Sequence, residues 1–126
     1  MAEARRSMVK RTRRLSGTML TFLLGAEDDT LREFAKSSES GRAAKTLVKD
    51  GPLRITLIAL KSGASLPSHH VAGPVSVQTI RGSLKVFVGK ETMEIPEGGL
   101  VSFGPGVAHT AKAVGDCAIL ITVAMP

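Results

Sequence analysis

From Gly41 to the end of the chain, glycine and proline turns interrupt the sequence every few residues. Between them lie short apolar or alternating runs: Thr46–Lys49, Leu53–Lys61, Val75–Ile80, Leu84–Val88, Thr92–Ile95, Leu100–Phe103, His109–Val114 and Ala118–Val123. The breaks are Asp50-Gly51-Pro52, Gly63 to Pro67, Arg81-Gly82, Gly89-Lys90, Gly104-Pro105-Gly106 and Gly115-Asp116. Runs this short suit strands, and a helix of ordinary length has no room between such breaks. The pattern predicts an all-β barrel or sandwich, with the β-branched run Leu53–Lys61 as its longest strand.

A chain of 126 residues suits one domain with a modest core. With no Trp, no Tyr and four Phe, that core must be built from Val, Ile, Leu, Met and Ala. An apolar share of 43% against 22% charged residues marks a globular chain, not a disordered one.

Ahead of the β region the sequence divides into two parts. Residues 1–16 form a basic arm with no apolar face, expected to be disordered. Residues 17–41 form a strand and helix segment. There, Met19 to Leu24 reads as a strand or packing segment, and Thr30-Leu-Arg-Glu33 reads as a capping box. Leu31, Phe34 and Ala35 supply the apolar face of a helix of about two turns. The barrel itself is expected over 42–126.

Charge is concentrated in the arm. Arg5, Arg6, Lys10, Arg11, Arg13 and Arg14 account for much of the net +6, whereas the rest of the chain is nearly neutral. The body offers no obvious Lys/Arg stripe and no Tyr or Trp for base stacking. Nucleic-acid or partner binding would therefore fall to the arm. Cys117 is the sole cysteine, so no internal disulfide forms, and a reducing, cytoplasmic setting fits. As a residue it reads as a small buried hydrophobe. Glu91, Glu94 and Glu97 read as a solvated hairpin edge. No apolar run approaches membrane-spanning length, and the basic start lacks a small-residue cleavage pattern before Glu27.

The chemistry-bearing residues are the histidines. Gly63 is followed at fixed spacing by His69, and Val75 by Gly82. Downstream, Gly98, Gly104, Gly106 and His109 recur at a second fixed spacing. This layout resembles the two motifs of the cupin superfamily, over roughly Arg42 to Val123. Val71 stands where the first motif has its second histidine, and Val75 where it has its glutamate. In the second motif, Pro105 falls one place late, Gly99 replaces an acid and Ala113 replaces an asparagine. The runs Gly41–Lys49, His69–Gln78 and Val107–His109 are further similar to small single-domain bacterial cupins.

The resemblance implies an all-β double-stranded β-helix, the cupin jelly-roll barrel, with a short N-terminal helix, often a homodimer. A cupin site usually holds Fe, Mn, Ni or Zn. Here the ligand set is reduced to His69 and His109, with His70 as a third candidate. A non-haem iron triad also needs a carboxylate, and none stands at a motif position. The expected function is small-molecule binding in the barrel cavity, lined by Val71, Val75, Val77 and Val86 with His69 and His109 as polar contacts. The alternative the resemblance carries is a metal-dependent enzyme of dioxygenase or isomerase type. The plainest reading of the histidines is hydrogen bonding to backbone, or to each other, near the barrel mouth, with His70 exposed.

Overall fold

The computed structural model describes residues 13–69 and 71–126. Most of the arm (1–12) and His70 therefore lie outside the described residues. The described chain has one helix and nine strands: α1 (Leu24–Ser37), β1 (Arg42–Asp50), β2 (Leu53–Leu60), β3 (Ser65–His69), β4 (Val75–Arg81), β5 (Ser83–Val88), β6 (Glu91–Pro96), β7 (Leu100–Phe103), β8 (His109–Ala113) and β9 (Cys117–Ala124). Every strand pairing is antiparallel. A five-stranded sheet in the order β1-β2-β9-β4-β7 faces a four-stranded sheet in the order β3-β8-β5-β6. Non-sequential neighbours such as β2-β9-β4 are the crossovers that wind a jelly roll.

Alternation places the core. In β4, Val75, Val77 and Thr79 are buried while Ser76 and Gln78 are only partly so. Facing side chains of the two sheets, among them Leu84, Val86, Phe103 and Ile119, make the main apolar core. A second, smaller core lies outside the barrel, where Leu31 and Ala35 of α1 cover Leu47, Leu57 and Ala59.

The N-terminal segment departs from expectation. Residues 18–23 form no strand, although Phe22 does pack into the outer core. The helix begins at Leu24, not Thr30, and Leu23 takes the N-cap position with no side-chain cap bond. Thr30 lies mid-helix. Two effects extend the helix forward. Glu27 sits in the first turn, where the helix dipole favours an acid. Asp28 is buried, 2% exposed, and receives Arg81 through Nε at 2.6 Å and Nη2 at 3.1 Å, with Arg32 Nη2 at 3.3 Å. This clamp ties α1 to β4.

The longest strand is β1, with nine residues, not the Leu53–Lys61 run. Arg42 to Lys45 has little β-propensity alone. It is strand because it pairs with β2 along its length, with one irregularity between Thr46 and Val48. The other edge of β1 tethers the arm's root, which is therefore not free at residues 13–15. Arg13 donates to Thr46 O, and Lys49 N donates to Leu15 O at 2.8 Å. An open strand edge offers such groups to any passing backbone.

Candidate functional site

Between the sheets lies a cavity of about 150 Å³. Ile58, Val75, Val77, Phe103, Ile119 and Ile121 line it from the five-stranded sheet. Leu66, Leu84, Val86, His109, Thr110 and Ala111 line it from the other. Among the described residues its walls are almost wholly apolar, and His109 is the ionisable group in them. Beyond Val77 on β4, Thr79 is fully buried opposite Ile119, and its hydroxyl donates to Ile95 O at 2.9 Å. At the other end stand Val75, Phe103 and the half-buried His109.

His109 opens β8 just after the Gly104-Pro105-Gly106 turn. Its ring stacks on Phe103, with centroids 4.3 Å apart and planes 6° from parallel. Its Nδ1 is 3.0 Å from Val107 O. A carbonyl can only accept, so Nδ1 carries the proton in this bond. In the neutral ring Nε2 then holds the lone pair, so the imidazole has one fixed orientation and one acceptor.

The other expected site residues divide into three groups. Val75, Val77 and Val86 all line the cavity and are at most 5% exposed. Val71 does not line it; it packs partly buried against the same core, and its carbonyl accepts from Gly106 N at 2.8 Å. It lies past the end of β3, so strand alternation from His69 does not carry it inward. The β3–β8 register sets the backbone of His69 directly across from His109. His70 lies outside the described residues.

Phe103 also lines the cavity, although no motif position singles it out. Its signal was present: it ends the alternating run Leu100–Phe103, and in the structure it sits across from Val75.

Whether the site fits a metal turns on its donors. The carboxylate place of the cupin pattern is Val75, whose cross-strand neighbours are Phe103 and Val123. Among the described residues, no three His, Cys, Asp or Glu side chains come together. The described side chains thus supply one imidazole, His109, and no carboxylate at the position that a two-histidine, one-carboxylate iron set would use; the side chains of His69 and His70 lie outside the described residues. Cys117 is fully buried, and that burial pushes its thiol up to about 11, far from a reactive thiolate. No described helix is long and apolar enough to cross a membrane.

The sequence matches no family model and no curated protein. Solved structures do match the fold. A conserved protein of unknown function from Streptococcus pyogenes superposes with a TM-score of 0.65 at 26% identity, covering 71% of this chain and 78% of that one. A cupin superfamily protein from Desulfitobacterium hafniense gives a TM-score of 0.66 at 12% identity, over 68% of this chain and 78% of that one. The chain is a small cupin-fold protein. A larger protein shares the barrel: a salicylate 1,2-dioxygenase from Pseudaminobacter salicylatoxidans gives a TM-score of 0.69 at 15% identity. That match covers 79% of this chain but only 33% of the dioxygenase, so the likeness is one of fold.

Proposed function

We propose that this cupin-fold protein binds a small, largely apolar molecule in the cavity between its sheets, with His109 as the polar contact. The cavity carries the reading. Its walls come from both sheets, and His109, the ionisable group among its described lining residues, is held in a defined orientation by Phe103 and Val107 O. Ligand sites are commonly concave and apolar with a few placed polar groups. Cavities of about this size with aliphatic walls stay dry and accept guests the size of a single aromatic ring.

The test is calorimetric titration with small apolar molecules that carry one hydroxyl, against the wild type and Ala111→Phe, which fills the cavity. Saturable binding that disappears in the filled but folded variant supports the reading. Binding that survives the filling places the site elsewhere.

The register of His69 with His109 favours a second reading, a metal-dependent enzyme of dioxygenase or isomerase type using His69, His109 and His70. Elemental analysis of untagged protein decides it. Stoichiometric Fe, Mn, Ni or Zn that vanishes in His69→Ala/His109→Ala would displace the first reading, and metal-free protein would remove the second.

A further inference from the structure

Beyond the cavity lining, the five-stranded sheet carries a charge imbalance that the apolar walls do not explain. One row of register crosses the five-stranded sheet at the Val75–Phe103 end of the cavity: Lys49 opposite Arg54, Arg54 opposite Val123, Val123 opposite Val75, and Val75 opposite Phe103. Directly opposed residues share a face of the sheet. Val75 and Phe103 line the cavity, and Val123 packs on the same core. Lys49 and Arg54 therefore extend this row on the inner face. The intervening residues of β2 agree, since Ile55 and Leu57 face the helix side while Ile58 lines the cavity.

Like charges directly opposite one another destabilise an antiparallel pair. Here a lysine opposes an arginine, and neither makes an ion pair with a described carboxylate. Asp50 is adjacent in sequence, but it registers with Leu53 and alternates to the other face. Arg54 instead donates through Nη1 to the carbonyls of Gly51 and Leu53. Those bonds position the guanidinium without neutralising it. The arm's root adds to the imbalance. Leu15 O accepts from Lys49 N, which brings the exposed Arg13 and Arg14 to the same edge.

We propose that the molecule this cavity takes is an amphipathic anion, with its apolar body between the sheets and a carboxylate-class head at Arg54 and Lys49. The proposal rests on the cavity being the ligand site. Neighbouring strands lie about 4.8 Å apart, so Arg54 stands roughly 10 Å from Val75 across β9. A medium-length chain seated in the cavity spans that distance. The planar arginine fork matches a carboxylate, and the lysine adds a second positive charge.

The full chain is titrated with octanoate and with octanol, which share an apolar body and differ in charge. At low salt octanoate binds several-fold more tightly, and the preference shrinks as salt screens the charges of Arg54 and Lys49. Arg54→Gln/Lys49→Gln loses the preference, whereas Lys90→Gln, on the β5–β6 turn, keeps it. The salt series on the wild type needs no variant to fold. Equal affinity for the two ligands overturns the anion proposal and leaves the cavity reading standing. A preference that persists in the double variant, or that ignores salt, overturns the assignment to Arg54 and Lys49. Failure of both ligands to bind overturns the cavity reading, and this proposal with it.

Discussion

Asp28→Asn tests whether α1 is held by charge or by its apolar face. Asp28 is buried against Arg81, with side-chain exposures of 3% and 26%. It accepts two bonds from Arg81 and a third from Arg32. The amide keeps the size but removes the charge, leaving a guanidinium against β4 with no carboxylate. Removing one partner of a buried pair costs about 3–5 kcal/mol. Arg81 is a quarter exposed and regains some water, so the lower end applies, about 3 kcal/mol. For a chain of this length that lowers Tm by about 10 °C. Urea unfolding with unchanged slope, checked by calorimetry, reads the loss. Asp29→Asn is the control: its side chain is 71% exposed beside Arg32, and its loss stays within about 0.5 kcal/mol. A matched apolar pair, Asp28→Leu/Arg81→Met, recovers most of the stability. If Asp28→Asn costs no more than Asp29→Asn, the clamp contributes nothing and apolar packing alone seats the helix.

Three further outcomes are expected. Cys117 is raised chiefly by burial, opposed by Arg81 and reinforced by Asp116 and Asp28, so its folded value of about 11 lies above its ordinary 9.0. The folded state therefore holds that proton more tightly, and about 2 kcal/mol of stability present below pH 9 is lost as pH rises toward 11. Unfolding curves of wild type and Cys117→Ala should converge over that window, and parallel curves would refute the assignment. Gly82→Ala should cost at least about 2 kcal/mol, because the residue sits at φ +77° and a Cβ would lie 2.3 Å from Asp116 O. A melting temperature equal to wild type would show that the β4–β5 turn yields freely. Val75→Glu puts a carboxylate beside Phe103 in the apolar cavity and should unfold more easily in chelator, by about 3 kcal/mol. Fe(II) or Mn(II) should restore it, but not when His109→Ala is added. Indifference to both metal and chelator would mean that position 75 does not face the histidines.

The turns and the faces of the strands were legible in the residues themselves. Gly82 marks a turn that only a glycine enters without strain. Val75, Val77 and Thr79 alternate with Ser76 and Gln78, and the same order separates inside from outside in the fold. Such features depend on each residue's backbone preference and on the two-residue repeat of a strand, and both act over short distances. His109, singled out through the resemblance that its glycine spacing carries, lies in the cavity lining.

Contacts between distant segments were not legible. Asp28 and Arg81 are 53 residues apart, and nothing around either announces the other. Asp28 lies ahead of the apparent capping box, and leaving it buried without Arg81 would cost more than a local cap contributes, so the pairing and the earlier helix start go together. β1 takes its length from β2, a partner edge, and not from its own propensity. The row from Lys49 through Arg54, Val123 and Val75 to Phe103 exists only because four separate pairings share one register. Local chemistry determined where this chain turns and which residues it buries. Register, set only when the barrel closes, decided which of them meet and set Lys49 against Arg54, with no described carboxylate paired to either, on the row that leads to Val75 and Phe103.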